Sequence, residues 1–406
     1  MGATWTAQVK LGEHWGAIAN LPLLTNAPSD SWTLPFPAHS YKVELLKSAL
    51  QKCVRRRKAE SAVRVGWQLL CQDPDQLLRR LPIIILEDGC LHRHFSYIVW
   101  LMVATSKGWK LSKSQVVLIL RVIFEVAEVS WRDPIPMVPT EGFKNPALDR
   151  PEGTLCPIAH VLASLVLRVN YGGMKGDMEM LKKFAIVWNE RYKKNPEEWD
   201  KEREVWFSQL PPEPNFEELI SKGPVLTDAD KISEAIDFHC FPQLVDKCTE
   251  ELEGFSKEDI KSAVWWHRSG LNLKKPVCHP KNPYLIKYYD NLESEEIGKR
   301  ETLSQWECVG PLWIKKCNSS FWRPLQNQSI NNSNSKKPKP THKPNTQANS
   351  ITNYFKKGTT NNSNNTSTRT NTTNSNTKSH NNSITNYFKK ASPEKPKEEP
   401  NQNDKT

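Results

Sequence analysis

Glycine is scarce in this chain, at 17 of 406 residues, and no GxxxxGK[ST] run occurs in it. That excludes a P-loop, whose glycine-rich backbone cradles nucleotide phosphates. HExxH, GxSxG and the protein-kinase signatures are missing as well, and with them the chemistries that depend on those spacings. The nine cysteines are odd in number and contain no CxxC pair. Scattered thiols, with no charged-then-apolar leader in "MGATWTAQVKLGEHWG", predict a reducing compartment, buried thiols and no disulfide frame. Long apolar runs are missing too. The longest, "VVLILRVIFEVAEV", is interrupted by Arg121 and Glu125, so no membrane span or membrane partner is expected.

Aliphatic residues nearly vanish after residue 326. Stretches such as "NNSNNTSTRTNTTNSNTKSHNN" cannot bury enough apolar surface to offset chain entropy, and residues 327–406 are expected to form a long disordered tail. This segment holds 13 Lys and Arg against 4 Asp and Glu, so it carries +9 of the total +11, while the preceding residues hold all 15 Trp. The high pI of about 9.1 therefore describes a cationic tail on a nearly neutral body. Such a tail attracts polyanions or acidic protein faces through a screened, nonspecific force.

What is present in the body is helical periodicity. Residues 1–40 are rich in Trp, Pro and Gly without a clear period and predict an irregular segment. From Tyr41 onward Leu46, Ala49, Leu50, Cys53 and Val54 follow the i, i+3, i+4, i+7, i+8 template. A second helix follows through Ala62/Val63, Gly66/Trp67 and Leu69/Leu70. Asp73-Pro74 reads as an N-cap and first helical position, Gly89 as a stop, and Gly108 as the end of the next helix. "SKSQ" at 112–115 is a capping box that opens a helix running to about Trp131. Residues 41–131 thus form a first helical domain. A Pro-rich loop, 132–153, separates it from a second helical region, 154–326, with helices expected over 157–170, 177–194, 228–238, 242–252 and 257–268. No period-2 strand stands out, and the fold class expected is all-α.

Three clusters could carry chemistry. Cys90, His92 and His94 in "CLHRH" are soft ligands, but i, i+2 and i+4 do not converge on a helix and no zinc spacing supports them; a buried Cys beside helix-start histidines is the plainer reading. Arg55, Arg56, Arg57 and Lys58 stand at a helix end. They read either as a solvated face favoured by the helix dipole or as phosphate contacts to DNA or RNA. Trp265, Trp266 and His267 read as a core pair at a helix end or as a surface for stacking bases. No acid–base pair stands out, so no catalytic set, cofactor or metal is nominated.

Residues 47–91, "KSALQKCVRRRKAESAVRVGWQLLCQDPDQLLRRLPIIILEDGCL", resemble the C-terminal helical region of the MgsA/RarA/Werner-helicase-interacting family of AAA+ ATPases, which is related to the collar of clamp loaders. The matching positions are Lys47, Ser48, Arg55, Ser61, Ala62, Asp73, Pro74, Arg79, Arg80, Leu81, Glu87, Asp88 and Gly89. The resemblance implies a collar-like helical bundle, assembly into a homo-oligomer and a replication–repair setting. The family's ATPase module has no counterpart here, so the resemblance implies no ATP hydrolysis.

The octapeptide "SITNYFKK" occurs twice in the tail, at 350–357 and 383–390. Ile351, Tyr354 and Phe355 stand at i, i+3 and i+4, as do Ile384, Tyr387 and Phe388, a spacing that aligns three apolar side chains on one helical turn. Such a triad fits a hydrophobic pocket on a partner, with Lys356, Lys357, Lys389 and Lys390 facing an acidic rim. The arrangement is similar to the PCNA-interacting peptide (PIP box), Gln-x-x-(Ile/Leu/Met)-x-x-aromatic-aromatic. The glutamine position holds Ala348 in the first copy and Asn381 in the second. "KKPKP" at 336–340 is a nuclear-import candidate.

Together these features predict a non-enzymatic accessory protein of DNA replication or repair, tethered to a PCNA-like sliding clamp at a nuclear or cytoplasmic replication site. Two alternatives stand beside it: a nucleic-acid-processing enzyme delivered by the same tail, and a nucleic-acid-binding protein without clamp contact that uses Arg55–Lys58 and the cationic tail.

Overall fold

The computed structural model describes residues 4–10, 20–26, 32–136, 138–141, 157–236, 242–277 and 302–325. The described residues are mostly helical. Five helices follow one another closely: α1 Val43–Arg55, α2 Ala59–Gln72, α3 Pro74–Asp88, α4 Phe95–Thr105 and α5 Lys113–Glu128. Their boundaries follow from local chemistry. Asp73 caps α3 by accepting from Gln76 N, with Pro74 at its first position, where a missing N–H costs nothing. Ser112 and Gln115 form the reciprocal capping box that starts α5. The short turn between α1 and α2 places Arg57 in the left-handed region, at φ 56°.

The second half adds α6 Pro157–Asn170, α7 Lys175–Lys194, α8 Pro196–Trp206, α9 Phe216–Lys222, α10 Pro242–Glu251, α11 Lys257–Val264 and α12 Leu303–Ser320. Helix α2 lies at the centre, against α1, α3 and α5, while α6 packs between α4 and α7. The α2–α5 contact is close because Gly66 has no side chain; a Cβ there would lie 2.6 Å from Ile123 Cδ1. One continuous apolar interior runs from Tyr41 to Trp322 and includes the fully buried Trp67, Trp188 and Trp313. Each buried Leu, Ile or Val in it contributes about 1.5–3 kcal/mol before entropy is counted.

The described residues depart from the expected pattern in several places. Residues 4–10 and 20–26 form an antiparallel hairpin, β1 Thr4–Lys10 with β2 Asn20–Asn26, in the register Thr4↔Asn26 to Lys10↔Asn20. Trp5, Ala7 and Val9 do alternate with polar residues, but Pro22 in the opposite strand masks the pattern. A second ladder pairs β3 Trp131–Arg132 with β4 Lys275–Pro276 in parallel. Residues 228–236 form two 3-10 turns, Asp228–Asp230 and Ser233–Ala235, rather than one helix. There Asp230 closes a tight capping box with Thr227 and also accepts from Arg64 of α2 at 2.9 and 3.0 Å, which fixes the segment against α2. Helix α11 ends in a π turn, Trp265–Ser269. Gly270 is required after it, since a Cβ would lie 2.8 Å from Trp265 O.

Among the described cysteines, Cys53, Cys71, Cys90, Cys248 and Cys317 are buried free thiols and Cys308 is exposed. Burial pushes the Cys53 thiol up to about 12 and that of Cys248 up to about 11, which leaves them inert. No helix among the described residues is long and apolar enough to cross a membrane.

Candidate functional site

The cationic run at the end of α1 is turned into the protein. Arg55 donates from Nε to Asp88 Oδ1 at 2.5 Å and from Nη2 to Glu87 Oε1 at 3.0 Å, while Nη1 reaches the carbonyl of Ser269 at 2.7 Å. Gln51, one turn earlier, donates to Asp88 Oδ2 and Glu87 Oε2 at 2.7 and 2.9 Å. Arg80 of α3 donates to Gln51 Oε1 at 2.5 Å and to Asp177 of α7 at 3.1 Å. The result is a clasp of alternating charge joining α1, α3 and α7. Burial, then the neighbouring Asp88 charge, pushes the Glu87 carboxyl up; Arg55 and Arg80 oppose that shift.

Arg56 is buried, and desolvation pulls its guanidinium down to about 10. Its Nε lies 3.9 Å from Glu234, which also meets Lys58 at 3.8 Å and Arg268 at 2.7 Å. Burial would raise the Glu234 carboxyl, but Arg268 and the other cations hold it below its ordinary range. Arg57 donates to the Glu128 carbonyl at 3.2 Å and so helps satisfy the end of α5. A solvated stripe of four cations is therefore not what the fold presents: Arg55 and Arg56 face inward, and only Arg57 and Lys58 are as much as two-fifths exposed.

Of the residues that carry the collar resemblance, Arg55, Arg80, Glu87 and Asp88 form this clasp and others make separate contacts. Lys47 donates to Gln76 Oε1 at 3.1 Å. Ser61 supports Asp230, the partner of Arg64. Gly89 lets α3 end against α5, for a Cβ there would stand 3.0 Å from Val126 Cγ1. Arg79 instead lies over the Tyr171 ring, 5.5 Å from its centroid. The arrangement locks helices together; its cations and carboxylates are matched.

The other clusters are also placed. His92 is fully buried between Glu125 and the His94 backbone. The His94 N–H donates to Nδ1, so the ring proton sits on Nε2 and is donated to Glu125 Oε2 at 2.5 Å. Burial pulls His92 down to about 4, which keeps it neutral. Among the described residues no three His, Cys, Asp or Glu side chains converge in a way that could hold a metal ion. Trp265 and Trp266 are half-buried rather than core. His267 stacks on Trp306, with its Nε2 3.0 Å from Thr302 Oγ1, and Arg268 covers the same indole at 4.7 Å. Both tail motifs, 350–357 and 383–390, lie outside the described residues.

Sequence reading missed two buried groups. Arg191 of α7 makes a bidentate pair with Asp133 at 2.5 and 3.0 Å, and its guanidinium lies over Trp188 and Trp199. Lys274 is buried and donates to the Val126 carbonyl near the end of α5. Burial pulls the Lys274 ammonium down to about 7, against the opposing charge of Asp88. From pH 7 upward the folded chain releases a proton that the unfolded chain retains, so stability rises with pH in this window. Wild type should gain about 1–2 kcal/mol between pH 7 and 8.5 from this lysine. Denaturant titrations of wild type and Lys274→Met at both pH values check it; equal pH slopes in the two proteins would remove the assignment. No protein-family model, curated protein or solved structure matches this chain.

Proposed function

We propose that this chain is a non-enzymatic accessory protein of DNA replication or repair whose tail tethers it to a PCNA-like sliding clamp. One observation carries the reading: "SITNYFKK" stands twice among residues that otherwise avoid aromatics. Ile351, Tyr354 and Phe355, and again Ile384, Tyr387 and Phe388, supply the plug. Lys356, Lys357, Lys389 and Lys390 supply attraction to an acidic rim. A segment of this composition gains nothing internally from such triads, whereas a pocket on another protein rewards them.

The body is proposed as the helical, collar-like part that positions the tail, with self-association its expected assembly mode. The clasp of Arg55, Arg80, Glu87 and Asp88 supports that reading, because residues bearing the collar likeness hold α1 to α3. The proposed location is a replication site in nucleus or cytoplasm. The test is retention of the full chain on an immobilised PCNA-type clamp, compared with a variant carrying Tyr354, Phe355, Tyr387 and Phe388 all changed to Ala. Wild type should be retained and the variant lost; equal retention refutes the tether.

A further inference from the structure

Residues 89–124 contain no Asp or Glu, yet they include Arg93, Lys107, Lys110, Lys113 and Arg121. In the fold this stretch runs from the end of α3 through α4 and its connection to α5, and on through most of α5. Three of its cations are paired: Arg93 with Glu125, the next residue along α5, Lys113 with Glu217 and Arg121 with Glu213. Lys107 and Lys110 stand exposed in the α4–α5 connection and make no ion pair among the described residues. Gly108 between them adopts φ 92°, which allows the sharp turn at no steric cost.

Beside this connection α4 presents aromatic rings. Most of its side chains are buried, among them Phe95, Ile98, Val99, Leu101 and Met102, but Tyr97 is 37% exposed and Trp100 half-buried. Their rings are parallel to within 1°, with centroids 5.9 Å apart, and Trp109 supports Trp100 edge-on at 5.5 Å. A single side chain orders the group. Gln115 donates to Tyr97 Oη at 2.9 Å and accepts from Trp109 Nε1 and Ser112 N, each at 3.0 Å.

We propose that the outer face of α4 and the α4–α5 connection form a stacking platform for single-stranded DNA, with a base on the Tyr97/Trp100 face and phosphates at Lys107 and Lys110. Pre-ordered flat rings beside unpaired cations match a flexible strand whose π-faces and negative charges alternate. A duplex hides those faces, and one ring pair offers a protein too little apolar area to anchor it. Choosing DNA over RNA rests on the replication reading above.

The test uses the full chain and a fluorescently labelled 20-nucleotide oligothymidine, with binding read by anisotropy across a salt series. Tyr97→Leu keeps apolar bulk but removes the stacking face; it should weaken binding about 10-fold or more with little change in salt slope. Tyr97→Phe keeps the face and should bind as wild type does. Lys107→Ala with Lys110→Ala should lower the slope of log K against log salt by about 1.4. Duplex DNA should bind more weakly than the oligothymidine and ignore Tyr97→Leu. Thermal melts matching wild type establish that each variant is folded. Equal oligothymidine binding by wild type and folded Tyr97→Leu would overturn the proposal and assign binding to the cationic tail. Preference for oligouridine, or Tyr97-dependent capture of an acidic peptide with no DNA binding, would overturn it as well. Clamp retention by the same variants should be unchanged, which separates failure of this platform from failure of the tether.

Discussion

Asp133→Ala should lower the unfolding free energy of the full chain by about 3–5 kcal/mol, because it strands a charge that water cannot reach. Arg191 is 2% exposed at its side chain and Asp133 1%. The guanidinium has Asp133 as its bidentate partner, and its Nε already lacks a hydrogen-bond acceptor. Removing the carboxylate leaves a buried cation between two indoles without its hydrogen-bonded counter-charge. Cation–π attraction to Trp188 and Trp199 offsets only about 1–2 kcal/mol of that. The double change Asp133→Ala with Arg191→Met removes both charges and keeps an apolar stem against the indoles, and should lie closer to wild type than Asp133→Ala alone. Denaturant unfolding followed by tryptophan fluorescence measures all four corners of the cycle. A loss under about 1 kcal/mol for Asp133→Ala would mean the pair is solvated and the burial argument fails.

Under the proposed tether, silencing one tail motif should weaken clamp binding by about 100-fold or more, although the other motif is intact. The argument is geometric. The motifs start 33 residues apart, and a coil of that length spans about 30 Å. A ring-shaped partner with repeated pockets lets the second motif bind intramolecularly, at an effective concentration in the millimolar range, and avidity then exceeds either single affinity by 10²–10⁴. Each motif by itself is handicapped, since Ala348 and Asn381 occupy the glutamine position of the PIP box. Surface plasmon resonance on immobilised clamp, with Tyr354 and Phe355 or Tyr387 and Phe388 changed to Ala, reads the effect as faster dissociation. A single-motif variant that dissociates at the wild-type rate would show that one plug does all the binding. Ala348→Gln should slow dissociation if the PIP geometry is right.

Locally encoded features were legible before any fold was known. The caps at Asp73 and Ser112–Gln115 stand where their side chains meet a backbone three residues away. Helices α1 to α5 followed from apolar spacing for the same reason. Helices α8 and α9 have polar faces and passed unread, though Asn195-Pro196 was an available cap signal at α8. Charge pairing across long separations was not legible at all. The run Arg55–Lys58 looked like a surface because its partners lie far along the chain: Glu87 and Asp88 meet Arg55, and Glu234 meets Arg56 and Lys58. Asp230 misled in the opposite sense. It reads as a helix-start acid, but Arg64 holds it in a tight turn. The aromatic pair on α4 was hidden inside an apolar run, where no spacing rule separates an outward Tyr97 from its inward neighbours.

The strap formed by residues 271–277 ties late chain to early chain. Leu273 N donates to the Arg55 carbonyl, Lys275 N to Ser130 and Val277 N to Arg132, while Lys274 reaches Val126 from 148 positions away. A ribosome adding about 5–20 residues per second needs on the order of 7–30 s to span that gap. Throughout that interval the nascent α1–α5 bundle is outside the tunnel with its seam open and the Lys274 niche unfilled. Translation speed across the intervening codons therefore sets how long this bundle stands vulnerable to misassembly and to chaperone capture.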